Sequence, residues 1–127
     1  MPLPYERMGS DGWVAQIGPV RLYLSDESGA VSRGQAALAE AVAGSLDARR
    51  AAASAYLDLF VDRRKACGDA EEPWWLDEID FRARPGEAAT GYAFLFTLHG
   101  DDGGLWTVDM HAAADGHRPY RFERRQG

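Results

Sequence analysis

From Trp13 to Leu24 apolar residues occupy alternate positions, Trp13, Ala15 and Ile17 before Gly18-Pro19 and Val20, Leu22 and Leu24 after it. Period-two alternation broken by a Gly-Pro pair predicts two short strands joined as a hairpin, because proline cannot continue a central strand. Asp26-Glu27-Ser28-Gly29 ends that pattern. From Gln35 the spacing turns helical: Leu38, Val42 and Leu46 lie four apart, and Ala53, Tyr56, Leu57, Phe60 and Val61 extend the stripe. Gly44-Ser45 interrupts it, since glycine costs about 1 kcal/mol inside a helix and Ser45 can cap a new one. The reading is a short helix near 34–43 and a longer one near 46–66, kinked or separated by a tight turn. Arg63-Arg64-Lys65 and Gly68 supply the C-terminal charge and cap.

Strand signals return after the acidic stretch Gly68 to Pro73. Trp75, Ile79, Phe81 and Ala83 share one parity and Asp80, Arg82 and Arg84 the other, which predicts a half-buried strand stopped by Arg84-Pro85-Gly86-Glu87. Tyr92, Phe94, Phe96 and Leu98 alternate with residues that are themselves mostly apolar, the mark of a central strand. His99 to Gly104 then turns the chain into Leu105–Ala112. If paired residue numbers sum to 204, Leu98 faces Trp106, Phe96 faces Val108 and Phe94 faces Met110, so every pair is apolar. A three-residue turn at Asp115-Gly116-His117 places Phe122 opposite Met110 and Tyr120 opposite Ala112. The expected fold is α+β: an N-terminal β-hairpin, one long or two consecutive α-helices, and a four-stranded antiparallel meander with the helices packed on one face. Leu57, Phe60, Phe81, Phe94, Phe96, Val108, Met110 and Phe122 form its expected core.

At 127 residues with 46% hydrophobic positions, the chain fits a single domain, 1–127, able to bury roughly two-thirds of its unfolded surface. No run reaches the ~18 apolar residues of a membrane span, and no basic-then-apolar leader opens the sequence. A soluble, cytoplasmic protein without membrane partners is expected. The one cysteine, Cys67, forbids an intramolecular disulfide and fits a reducing compartment. Charge is uneven: net 0 over 1–67, −9 over 68–115 and +3 over 116–127. An acidic body repels phosphate backbones, which argues against nucleic acid and for a basic protein partner.

Candidate chemistry is sparse. In the 204 register His99 and His111 stand roughly 20 Å apart and His117 falls in a turn, so the histidines share no metal. Asp109 and His111 point the same way, with Glu123 and Arg121 expected across from them. That set is a salt-bridged outer face or, as the alternative, the site of a small enzyme or small-molecule-binding domain. Asp101 and Asp102 in the Gly100–Gly104 loop are too few for a calcium site, which draws on six or more oxygens. No phosphate-binding loop, nucleotide fingerprint or nucleophile elbow occurs, and no cofactor or metal is implied. Cys67 at a helix C-terminus has a raised thiol pKa, the wrong direction for a nucleophile.

The most unusual stretch is Glu71-Glu72-Pro73-Trp74-Trp75-Leu76-Asp77-Glu78. Neighbours in a strand point to opposite faces, so with Trp75 in the core Trp74 either faces outward or packs under a loop, covered by the N-terminal hairpin. A tryptophan ringed by Glu71, Glu72, Asp77 and Glu78 has the composition of an interface anchor, either for a basic partner or for a second copy in a homodimer.

The hairpin beginning near Trp13, the Ala-rich helical segment closing on Tyr56-Leu57-Asp58-Leu59-Phe60, and the terminal meander carrying Gly104-Leu105-Trp106-Thr107-Val108-Asp109 resemble small bacterial α+β families of unassigned function. Some of these are similar to immunity proteins that neutralise secreted toxins. The resemblance implies a protein-binding role without catalysis and carries over no active-site residue.

Overall fold

The computed structural model describes residues 3–10, 12–61, 73–82, 91–101 and 103–126. Strands β1 (Glu6–Met8), β2 (Gly12–Ile17), β3 (Val20–Glu27) and β4 (Ala30–Val31) precede helices α1 (Arg33–Gly44) and α2 (Leu46–Asp58). Strands β5 (Trp74–Asp80), β6 (Gly91–Leu98), β7 (Gly104–Ala113) and β8 (Gly116–Gln126) follow. All eight join one sheet in the order β1-β2-β3-β5-β6-β7-β8, with β4 paired to β3.

The α+β class and the opening hairpin match expectation, but a four-stranded meander understates the sheet. The hairpin is continuous with it, because β3 pairs with β5 in parallel, Leu22 opposite Ile79. Parallel neighbours need a crossover of a dozen or more residues, and the two helices fall within this one. The inward rows Leu22-Leu24, Ile79, Phe94-Phe96 and Val108-Met110 then meet Ala39, Val42, Ala53 and Leu57 of the helices in one core.

The helices break where glycine and serine meet. Ser45 has φ −133°, outside helical space; its hydroxyl donates to the Ala41 carbonyl at 2.9 Å and accepts from Arg49 Nε at 3.2 Å. It sits at the N-cap of α2 but turns its side chain back onto α1 rather than capping. At the other end of α1, buried Gln35 grips Ser25 of β3, accepting from its amide at 2.6 Å and donating to its hydroxyl at 3.1 Å. Helix α2 stops at Asp58, short of the expected extent. Phe60 is consequently 58% exposed instead of core, and it rests on Phe122 and Tyr56 at 5.1 Å each, where the sheet beneath the helix ends. Residues 62–66, Cys67 and Gly68 lie outside the described residues.

Both C-terminal hairpins differ from the expected register. In the first, Tyr92 pairs with Met110, Phe94 with Val108 and Phe96 with Trp106, a slip of two residues. Such a slip keeps every side chain on its face, so apolar alternation cannot tell the two registers apart. The turn decides: Gly100 and Gly103 take positive φ and Gly104 N–H bonds the Asp101 carbonyl, giving a tighter connection. In the second, Ala113 pairs with Gly116 around a two-residue turn, and an extra residue, Tyr120, interrupts β8 between Met110↔Pro119 and Asp109↔Arg121. Phe122 therefore faces Val108, not Met110. The bulge also reverses the parity of β8, so that His117 points inward, and it falls beside Pro119, whose missing N–H an edge strand tolerates.

Candidate functional site

The sequence 74–80 can lie on the core in two ways. An unbroken strand with Ile79 inward would carry Trp75 and Asp77 inward with it. The structure instead places a bulge at Asp77, with Leu76 opposite Phe96 and Glu78 opposite Leu95. Trp74 and Leu76 then join Ile79 in the core, and the bulge keeps a carboxylate out of it. The expected assignment of the two tryptophans is thus reversed. Trp74 is 4% exposed, meets Trp106 and Phe96 edge-on at 5.5 and 6.1 Å, and donates its indole N–H to Asp58 at 3.0 Å. Trp75 is the outward ring, 50% exposed, in an edge-to-face contact with His99 whose ring centroids are 5.5 Å apart.

Trp75 stands on the sheet face opposite the helices. Both helices bury their apolar sides against the inward rows, leaving Arg21, Tyr23, Trp75, Glu78, Leu95 and Thr97 on a face that no helix crosses among the described residues. Beside Trp75, the bulged Asp77 accepts from the Thr97 hydroxyl and has no cationic partner among the described residues. Glu78 accepts weakly from the Tyr23 hydroxyl at 3.5 Å and lies across from Arg21. Asp80 is held by both arms of Arg82, at 2.9 and 3.0 Å. Of the acids expected around the tryptophans, Asp77 and Glu78 therefore share its face; Glu71 and Glu72 lie outside the described residues.

The second expected set assembles only in part, as the pair Asp109 and Arg121. With the shifted register Asp109 faces Arg121, His111 faces Arg118 and Glu123 faces Thr107. Asp109 is buried at 7% exposure and ion-paired with Arg121, while Glu123 pairs with Arg125 at 3.0 Å and His111 is exposed. Among the described residues no three His, Cys, Asp or Glu side chains converge as a metal site would require. The Gly100–Gly104 loop also has a structural use. Asp101 accepts from the Trp106 indole at 2.7 Å and takes Arg124 through both oxygens, which holds its carboxyl below the usual range, chiefly through Arg124. Asp102 lies outside the described residues.

One buried polar contact had no sequence signal. The Tyr92 hydroxyl and His117 Nδ1 are 2.6 Å apart, with Phe81 stacked on the Tyr92 ring at 5.3 Å. Burial raises the Tyr92 phenol above its ordinary value, while burial, and secondarily the Arg49 charge, lowers His117. Both directions keep both groups neutral, and Tyr92 donates in the tautomer that carries the imidazole proton on Nε2. With Tyr92 5% exposed there is no access for a substrate, and the contact works as a latch between β6 and β8. No helix of the described residues is long and apolar enough to cross a membrane. No protein-family model matches the sequence, and neither a curated protein nor a solved structure gives a match to it.

Proposed function

We propose that the protein is a non-catalytic interaction domain that binds a basic protein partner on its open sheet face, in the manner of the cytoplasmic immunity proteins it resembles. One observation carries the reading: Trp75, half exposed on a face that no described helix covers, stands beside the carboxylate of Asp77, which has no cationic partner among the described residues. A tryptophan presented by a rigid strand is a low-entropy anchor, and adjacent carboxylates steer a basic surface toward it. The alternative, a small enzyme or small-molecule-binding domain using Asp109, His111 and Glu123, draws no support from a face on which Asp109 is ion-paired with Arg121, Glu123 with Arg125, and His111 is exposed.

The test is affinity purification from the native cell with neighbouring gene products co-expressed, comparing wild type with Trp75→Ala and with Asp77→Asn. A basic protein retained by the wild type and lost with Trp75→Ala supports the reading, with Trp75→Ala chiefly speeding dissociation and Asp77→Asn slowing association at low salt. An acidic partner, or one held equally by Trp75→Ala, would overturn it. Recovery of the protein alone as a dimer dissociated by Trp75→Ala would replace the basic partner with a second copy.

A further inference from the structure

The outer face also carries a concavity at its opposite end, over β1–β3, of about 360 Å³. Val14 and Tyr23, paired across β2 and β3, form its floor, Pro4 and Met8 line one side, and Glu6 and Arg21 both reach it. That volume falls within the range of about 300–1,000 Å³ typical of small-ligand sites. Arg7, Arg82, Arg118, Arg121, Arg124 and Arg125 each pair with a carboxylate, whereas Arg21, like Arg33, Arg49 and Arg50, has no such partner among the described residues. The side chains of Arg21 and Glu6 make no hydrogen bond or ion pair with any described residue, although Glu78 lies across from Arg21 on β5.

The sheet geometry explains why they do not pair with each other. Glu6 is level with Val14, and Val14 with Tyr23, while Arg21 lies two residues further along β3. Two strand spacings and two residues of rise separate their Cα atoms by about 12 Å, with Val14, Tyr23 and the polar Gln16 between them. Opposite charges held apart across this mixed floor match a ligand with a cation at one end, an anion at the other, and a body carrying both apolar and hydrogen-bonding groups. An α-amino acid is too short, because its ammonium and carboxylate are both attached to the same α-carbon. A dipeptide, whose charged termini are separated by roughly two residue lengths, or about 7 Å, lets both side chains close on it.

We infer that this concavity binds short peptides with both termini free and apolar side chains, Arg21 holding the carboxylate and Glu6 the ammonium. The inference does not depend on the partner proposed for Trp75. It is tested with leucyl-leucine as probe, by ligand-observed NMR and calorimetric titration of the full chain. The blocked relatives N-acetyl-leucyl-leucine and leucyl-leucinamide, and the variants Glu6→Gln and Arg21→Gln, complete the test; both side chains are exposed, so the fold is retained, as circular dichroism would verify. Leucyl-leucine should bind the wild type saturably, and each block should weaken it about tenfold. Glu6→Gln should lose the preference for a free amine alone, and Arg21→Gln the preference for a free carboxylate alone. Absence of saturable binding to the wild type would overturn the inference, as would a Glu6→Gln variant that still discriminates against the acetylated peptide.

Discussion

Truncating each of the adjacent tryptophans in turn measures which one the bulge at Asp77 has put inside. Taking about 200 Å² for a tryptophan side chain, Trp74 at 4% exposure buries about 190 Å² and Trp75 at 50% about 100 Å². At about 25 cal/mol per Å², Trp74→Ala costs about 5 kcal/mol and Trp75→Ala about half that. Partial burial in the unfolded chain lowers both figures, but it acts alike on two neighbouring residues, so the twofold ratio is firmer than either value. Loss of the Trp74 indole bond adds little, because Asp58 is exposed and turns to water. Urea unfolding followed by far-ultraviolet circular dichroism reads the two costs directly, without relying on tryptophan emission as the probe. At roughly 4 °C per kcal/mol the thermal midpoints should fall by about 20 °C and 10 °C. A second readout is acrylamide quenching: Trp75→Phe should remove the most accessible emission, and Trp74→Phe should leave it. Equal costs, or quenching lost with Trp74→Phe, would mean that strand β5 is unbulged and that the anchor on the open face is misassigned.

Two further outcomes follow from single buried groups. The Tyr5 hydroxyl is buried without a hydrogen-bond partner among the described residues, and burial, with Glu40 next, raises its pKa; Tyr5→Phe should therefore stabilise the fold by about 1 kcal/mol in a thermal melt, and an unchanged or lower midpoint would contradict this. His117 is lowered below its ordinary 6.5 in the folded chain, so the unfolded chain takes up the proton first and stability falls as pH drops from about 6.5 through the folded-state value. His117→Gln can still accept from Tyr92 but does not titrate, so the loss between pH 7 and pH 5 should be smaller in the variant; parallel losses would remove the latch from the account.

What could be read along the chain, and what could not, divides by the range of the interaction involved. The break at Gly44-Ser45, the Gly18-Pro19 turn and the aromatic row of β6 depend on residues within a few positions of one another, and each stands where periodicity put it. Apart from the early end of α2 at Asp58, which leaves Phe60 exposed, the displaced assignments depend on register between distant segments. The parity series Trp75, Ile79, Phe81 omits its own member Asp77, and that omission was the available sign that the strand must bulge there and expose Trp75 instead of Trp74. A two-residue slip between β6 and β7 leaves all faces unchanged but sets Tyr92 level with Met110, while the shorter β7–β8 turn and the extra Tyr120 move Glu123 from opposite Asp109 to opposite Thr107 and turn His117 inward to Tyr92. Strand β1 is three residues without alternation, so Glu6 and Arg21 acquire a shared concavity only through a pairing that Glu6-Arg7-Met8 does not announce. A core position tolerates such slips because one apolar neighbour serves nearly as well as another. A site does not, because it requires particular groups at particular distances, and in this fold those distances are set by one bulge in β5, one in β8 and the length of two turns.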